Sequence, residues 1–140
     1  MSSEEHLVFV YGTLRRGASN AFRMEGAEFV REVMIRGRLY RIDWYPAFVL
    51  DQAAEWVVGE LWKVGSEHLE ALDSFEGIPE GSDSGEEYRR VAIGIADHCN
   101  DPSGLSGEKG WLWEWNKSTD GLEPIHTGDW LNQGPMEGSK

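Results

Sequence analysis

The chain is poor in the features that mark secreted or membrane-spanning proteins. Among its 140 residues there is one cysteine, Cys99, so no disulfide can form within the chain, which is typical of a reducing compartment. No apolar run approaches the ~20 residues that cross a bilayer. Residues 1–5 are acidic and polar, unlike a signal or transit peptide. We therefore expect a cytoplasmic protein with no membrane partner.

Positive charge is also scarce. The chain has 13 Lys and Arg against 25 Asp and Glu, a net charge of −12. Such a polyanion repels nucleic acid and anionic membrane surfaces, so no nucleic-acid partner is expected. The shortage is uneven, because residues 1–41 carry seven arginines and five glutamates whereas residues 42–140 carry six basic and twenty acidic side chains. Solvated faces explain this asymmetry, or the positive charge lies near a site for an anion; both interpretations stay open.

Most of the short motifs that hold metals, cofactors or nucleophiles are missing. The four histidines are scattered and never show the His-Glu-x-x-His spacing of a zinc site. There is no Gly-x-Ser-x-Gly nucleophile motif and no dinucleotide fingerprint. Gly12 and Gly17 have the spacing of a P-loop, but Ala18 and Ser19 follow where a phosphate-binding lysine would stand. The sequence therefore predicts no metal and no cofactor.

What the chain does have is enough apolar material for one folded domain. It is 40% hydrophobic and contains seven tryptophans, and a chain of this length can bury a sizeable core. We expect a single domain over residues 1–133 and a disordered tail over residues 134–140. Ser66 is a plausible N-cap, and the apolar spacing after it predicts one main helix that stops at Gly77 and Pro79.

Strands predominate around that helix, and the connections are short. The fold class is therefore predicted to be α+β, with a curled or barrel-like sheet. The last strand places Trp111, Trp113 and Trp115 on one face. Core packing is expected for at least two of these indoles, and the third is a candidate for a pocket mouth. The predicted strands cover residues 7–10, 29–42, 46–50, 56–64, 88–96 and 110–116.

The first strand ends in the motif Val10-Tyr11-Gly12-Thr13-Leu14. A strand that breaks at a glycine leaves backbone N–H groups unpaired at its end, and the glycine lets a ligand approach them. The motif therefore predicts a small anion site that suits the carboxylate of a small molecule. The alternative is that Gly12 only ends the strand and that Arg15 and Arg16 are solvated.

Glu76 lies at the last turn of the predicted helix. The negative end of a helix dipole disfavours an exposed carboxylate there by roughly 0.3–1 kcal/mol. If an aromatic neighbour also shields the side chain, its pKa rises, and a carboxyl poised in this way is a good proton shuttle. The alternative is an exposed surface glutamate with no chemical role.

Three motifs in this order resemble the γ-glutamylcyclotransferase-like family. They are Val10-Tyr11-Gly12-Thr13-Leu14, then Leu72-Asp73-x-Phe75-Glu76-Gly77, then Tyr88-Arg89-Arg90. The family includes γ-glutamylcyclotransferase, γ-glutamylamine cyclotransferase and plant proteins of the avirulence-induced type. The resemblance covers most of the chain, to about Trp130.

The resemblance implies a fold, a reaction and a set of site residues. The fold would be a small mixed β-barrel with one main helix and short flanking helices. Tyr11, Gly12, Thr13 and Leu14 would hold the α-amino acid end of a γ-glutamyl group, and Glu76 would be the general acid/base. Tyr88 matches a pocket-lining position. Trp113 and Trp115 stand where the family often has tyrosines, which makes them candidates for the pocket wall.

The implied reaction needs no nucleophile from the protein. The α-amine of a γ-glutamyl compound attacks its own γ-carbonyl and closes 5-oxoproline, which releases an amine or amino acid. The expected partner is thus a small γ-glutamyl substrate, on a monomer or weak homodimer. Two rivals remain: a non-catalytic binding module on the same fold, and a protein-interaction role through exposed tryptophans. The acidic loop at residues 77–87 is either a lid or an ornament.

Overall fold

A computed structural model describes residues 5–100 and 108–132. The predicted tail at residues 134–140 lies outside the described residues. A short 3-10 helix, Ala21–Met24, stands in the loop after the first strand. In chain order the other elements are β1 (Glu5–Val10), β2 (Glu28–Arg41), β3 (Pro46–Leu50), β4 (Trp56–Gly65), α1 (Ser66–Phe75), β5 (Tyr88–Gly94), α2 (Ile95–His98), β6 (Lys109–Trp115) and β7 (Glu123–Pro124).

The strands form one mixed sheet in the order β3-β2-β4-β1-β6-β5, with β7 paired to β2. The β1–β6 pair is parallel and the other pairs are antiparallel. The sheet curls so that β3 approaches β6, and the Leu50 N–H on β3 donates to the Glu114 carboxylate on β6 at 2.9 Å. The predicted α+β class, with a barrel-like sheet and one main helix, is confirmed.

The first strand is buried on both faces. Leu7 and Phe9 belong to the core inside the curled sheet, whereas Val8 and Val10 pack with α1 residues Leu69 and Leu72 in a second core on the outer face. A strand covered on both sides reads as a continuous apolar run without alternation, which explains the sequence of β1.

Two local sequence predictions are wrong. The fifth strand ends at Gly94, not at residue 96, because the chain turns there into α2 and places Ile95, which is fully buried, inside the sheet. Ser66 is the first residue of α1 and not its cap, since Gly65 still pairs with Glu5 in the sheet. No helix in the described part of the chain is long and apolar enough to cross a membrane.

A buried ion cluster ties the loop after β1 to the centre of the sheet. Glu60 on β4 is 2% exposed and Arg15 is 3% exposed. The Glu60 carboxylate accepts the Arg16 backbone N–H at 3.1 Å and the Trp62 indole N–H at 3.0 Å, and it lies 3.6 Å from Arg15 Nε. Arg15 also donates to Asp129 at 2.7 Å. The buried Glu60 carboxylate therefore anchors the loop to β4.

Removing one partner of this cluster should lower the free energy of unfolding. Arg15→Met is expected to lower the free energy of unfolding by about 3 kcal/mol, because it leaves the Glu60 carboxylate buried without that guanidinium. The matched control is Arg38→Met, which breaks an exposed pair with Asp51 and should cost less than about 1 kcal/mol. Both values come from urea unfolding followed by tryptophan fluorescence.

A double-variant cycle distinguishes the ion pair from lost packing. Arg15→Met combined with Glu60→Gln should cost clearly less than the sum of the two single changes, because the neutral amide no longer leaves a buried charge uncompensated. Additive costs, or equal costs for Arg15→Met and Arg38→Met, would contradict the role assigned to the cluster.

Candidate active site

A cavity of about 280 Å³ opens where the two cores meet. Five segments form its wall: the end of β1 with the loop after it, the turn before β3 with the start of that strand, the C-terminal end of α1, the start of β5 with the residue before it, and the middle of β6. Seven of the eight residues predicted for the site line it: Tyr11, Gly12, Thr13, Leu14, Glu76, Tyr88 and Trp113. The fold therefore brings together segments that are far apart in the chain.

The loop after β1 lines this cavity and carries backbone donors without an acceptor in the described chain. A tight turn closes it, with the Arg15 N–H donating to the Gly12 carbonyl at 3.1 Å, and the Asn20 N–H holds the Thr13 carbonyl at 2.8 Å. Among the hydrogen bonds of residues 5–100 and 108–132, none uses the N–H of Gly12, Thr13 or Leu14. Three neighbouring amide donors are the pattern expected for a site that binds an anion.

Gly12 is required by the close approach of the next wall. A Cβ on Gly12 would lie 2.5 Å from Pro46 Cγ, far inside van der Waals contact. The Pro46 carbonyl in turn accepts the Tyr88 hydroxyl. Any larger residue at position 12 would push the loop away from β3 and distort the cavity wall.

A helix-ending motif fixes the position of Glu76. Glu76 is the C-cap of α1, and Gly77 follows with a positive φ of 84°. The Gly77 N–H donates to Ser74 and the Ile78 N–H donates to Asp73, which are the two bonds of a Schellman motif. Ile78 is buried in the outer core beside Leu72. The glutamate is therefore presented by a rigid turn, one residue beyond the last turn where the sequence placed it.

The surroundings of Glu76 favour its protonated form. Burial, the largest cause, acts with the Asp73 and Glu87 carboxylates and against Arg23, and together they raise the pKa of Glu76 from its usual 4.5 to about 8. The helix C-terminus acts in the same direction as the carboxylates. A carboxyl with a pKa near neutrality can both accept and donate a proton.

Two tyrosines form neutral walls of the cavity. The Tyr11 hydroxyl donates to the Trp113 carbonyl, and the Tyr88 hydroxyl donates to the Pro46 carbonyl. Burial raises the pKa of both phenols, and the charge of Glu76 acts in the same direction. Both rings therefore stay protonated, and their donors are engaged in bonds that hold the walls in place.

The two candidate tryptophans lie in different positions. Trp113 lines the cavity, and its indole N–H donates to Asp73 at 2.9 Å. Trp115 does not line it: its ring packs edge-on against Tyr88 with centroids 5.4 Å apart, and its indole N–H donates to the Ser118 carbonyl. The predicted common face of Trp111, Trp113 and Trp115 is confirmed, since all three belong to the outer core.

Three residues at the mouth were not among the predicted site residues. Trp44, Tyr45 and Glu87 line the cavity, and the Tyr45 hydroxyl donates to Glu87 at 3.0 Å. The available signals were weak: a Trp-Tyr-Pro turn before β3, and an acidic residue directly before Tyr88. Of the loop at residues 77–87, only Glu87 lines this cavity; most of its other residues line a separate cleft beside α1.

Arginine takes no part in the lining. The Arg15 and Arg16 side chains lie beside the Glu60 carboxylate and do not line the cavity. The positive charge of this loop therefore stabilises the fold. The lining contains no Arg, Lys or His side chain. Within the described ranges, no three His, Cys, Asp or Glu side chains gather closely enough to hold a metal ion.

Comparisons with known proteins cover the whole cavity. A family model described as gamma-glutamyl cyclotransferase, AIG2-like, matches residues 8–132. The gamma-glutamylcyclotransferase family protein YtfP of Escherichia coli K12 is 29% identical over 127 residues, 90% of this chain and 96% of YtfP. The solution structure of Escherichia coli YtfP has a TM-score of 0.64, covers 91% of this chain and 97% of its own, and is 27% identical. The crystal structure of PH0828 from Pyrococcus horikoshii has a TM-score of 0.65, covers 89% of both chains, and is also 27% identical.

The raised pKa of Glu76 predicts a pH-dependent stability. The unfolded chain ionises this carboxyl near pH 4.5, whereas the folded chain holds the proton to about pH 8. Between these values the folded state binds more protons, so its stability falls as pH rises. Glu76→Gln removes this effect, and its free energy of unfolding relative to wild type should increase from about pH 5 to pH 8 and then level off.

Urea unfolding at several pH values measures this difference directly. The matched control is Glu80→Gln, an exposed glutamate on the following loop, for which the difference from wild type should stay flat. A flat difference for Glu76→Gln as well would show that the carboxyl ionises normally in the folded chain.

Proposed function

This chain belongs to the gamma-glutamyl cyclotransferase, AIG2-like, family, and we propose that it is a γ-glutamyl cyclotransferase. Its substrate would be a γ-glutamyl compound, and its products 5-oxoproline and a free amine or amino acid. The observation that carries the proposal is the cavity itself. Its lining includes Gly12, Thr13 and Leu14, whose backbone N–H groups bond to no acceptor in the described chain, and Glu76, whose pKa is raised.

The free N–H groups suit one end of the substrate. The α-carboxylate would accept hydrogen bonds from Gly12, Thr13 and Leu14, which lack other acceptors in the described chain. Held there, the γ-glutamyl chain folds back so that its α-amine faces its γ-carbonyl. Such positioning makes the ring closure intramolecular, with an effective molarity that can reach about 10⁵–10⁸ M.

Glu76 would move the two protons that the reaction requires. The substrate amine begins as an ammonium with a pKa of about 8, and the Glu76 carboxylate takes one proton from it. The amine nitrogen then bonds to the γ-carbon, and the scissile C–N bond breaks as the Glu76 carboxyl gives that first proton to the leaving nitrogen. The ring nitrogen releases its second proton to the Glu76 carboxylate, which passes it to the released amine, so the products are a neutral lactam nitrogen and a leaving ammonium. Atoms and charges balance, and Glu76 ends in its starting state. A pKa of about 8 for Glu76 lies close to that of the substrate ammonium, which makes the first transfer nearly thermoneutral.

The first test is the loss of activity on Glu76→Gln. The amide keeps the shape but cannot take a proton, so turnover should fall on the order of 10²–10⁴-fold. Mass spectrometry of 5-oxoproline, with a panel of γ-glutamyl dipeptides and amines, measures this in wild type and variant in parallel. Glu80→Gln, which lies outside the cavity, serves as the control and should keep wild-type turnover.

Two outcomes would contradict the proposal. A fully active Glu76→Gln enzyme would refute the acid/base assignment. No 5-oxoproline from the folded wild-type protein with any compound of the panel would favour a non-catalytic binding module on the same fold.

A second test uses the pH dependence of the rate. Because the mechanism needs ionised Glu76, kcat/KM should rise with pH up to about 8. Arg23 lowers the pKa of Glu76 and does not line the cavity. Arg23→Met should therefore move the ascending limb of the profile to higher pH, while Arg38→Met, at an exposed arginine, should leave it in place. If the ascending limb stays in place in Arg23→Met, that limb does not report the ionisation of Glu76.

A further inference from the structure

The lining of the cavity contains two carboxylates and no cationic side chain. These carboxylates belong to Glu76 and Glu87. Glu87 accepts a hydrogen bond from the neutral Tyr45 hydroxyl at 3.0 Å, and it forms no ion pair with any residue in the described ranges. Most other half-buried carboxylates of the fold face a guanidinium, so Glu87 stands out as an acceptor that a ligand can use.

An aromatic pair completes the same corner. Trp44 is 58% exposed, although it is one of the largest apolar side chains of the protein. Its ring meets Tyr45 edge-on with centroids 4.9 Å apart, and both residues line the cavity. Burial and the bond to Glu87 raise the pKa of Tyr45, so the phenol remains a donor that holds the carboxylate at the mouth. A carboxylate beside aromatic faces is the arrangement that binds organic cations.

The lining of the cavity distinguishes leaving groups by their charge. The γ-glutamyl part brings one carboxylate, which the loop N–H groups accept, and one ammonium, which Glu76 faces. A second carboxylate on the leaving group would find no cation in the lining and would meet Glu87 in a partly desolvated site, which is unfavourable. A positive charge there would pair with Glu87.

Negative charges outside the cavity also favour a cationic leaving group, at longer range. The loop that ends at Glu87 also carries Glu80, Asp83 and Glu86 and has no basic residue. All three side chains are exposed. A field of one sign around a cleft raises the local concentration of ligands of the opposite sign.

We infer that Glu87, with Trp44 and Tyr45, forms a subsite for the leaving group that selects leaving amines carrying a second, positively charged group. The inference rests on the proposed function and narrows its substrate class to γ-glutamyl derivatives of diamines and related cationic amines. Glu87 is a specificity-determining residue in this scheme, and it takes no part in the proton transfers.

Three probes of equal length test the subsite. They are the γ-glutamyl amides of 1,4-diaminobutane, pentylamine and 5-aminopentanoate, whose leaving groups end in an ammonium, a methyl and a carboxylate. The expected order of kcat/KM is ammonium, then methyl, then carboxylate. The ammonium probe should exceed the methyl probe by about tenfold or more, the usual size of a hydrogen bond between charged groups.

Glu87→Gln identifies the residue responsible. The amide can still accept the Tyr45 hydroxyl, so the mouth should keep its shape while losing the charge. The ratio of kcat/KM for the ammonium and methyl probes should fall to within about threefold of unity. Glu80→Gln, at an exposed glutamate of the same loop that does not line the cavity, removes the same charge from the outer field only, so it should lower the ratio far less than Glu87→Gln does.

The outcomes separate the two proposals. If 5-oxoproline forms from all three probes at equal kcat/KM, or fastest from the carboxylate probe, the subsite is overturned while the proposed reaction stands. A ratio unchanged in Glu87→Gln would also overturn it. If no probe reacts, the proposed reaction fails for these compounds, and calorimetric Kd values for the same probes decide the subsite: tighter binding of the ammonium probe, lost in Glu87→Gln, supports it, and equal or absent binding overturns it.

Discussion

A carboxylate buried below the loop after β1 sets the geometry on which the rest of the site depends. Glu60 has almost no contact with solvent, so its charge must be met by the protein, and the Arg15 guanidinium and the Arg16 backbone N–H meet it. These contacts hold the loop against β4, and residues 12–14 of the same loop line the cavity. The loop therefore owes its shape to buried electrostatics as well as to its glycine.

The cavity lies at the boundary between two cores because β1 belongs to both. Its alternate side chains fill the curled sheet on one side and pack under α1 on the other. Where the strand ends, neither core continues, and the space is lined by Tyr11 from one and by Tyr88 and Trp113 from the other. The walls of the cavity are rigid, because the Tyr11 and Tyr88 hydroxyls each donate a hydrogen bond to a backbone carbonyl of another segment.

Uncompensated negative charge gives this space its chemical character. Glu76 has a raised pKa because it is buried near Asp73 and Glu87 with only Arg23 in opposition. The arginines that the sequence places close to the loop are engaged by Glu60, Glu32 and Asp129 instead. A cavity whose lining offers both backbone donors and carboxylates suits a zwitterion, and it disfavours ligands with excess negative charge.

The sequence by itself determined the order of the six longer strands and the main helix, and the end of α1, because these follow from local periodicity and from the positive φ that Gly77 supplies. It did not predict α2 or β7. The grouping of Tyr11–Leu14, Glu76 and Tyr88 came from the family resemblance, since no local pattern links segments so far apart. Only the tertiary structure decided that Trp115 lies outside the cavity, that Trp44, Tyr45 and Glu87 line it, and that Arg15 is buried. Burial, charge pairing and pKa depend on contacts between distant segments, and those contacts exist only once the sheet has curled and α1 has packed against it.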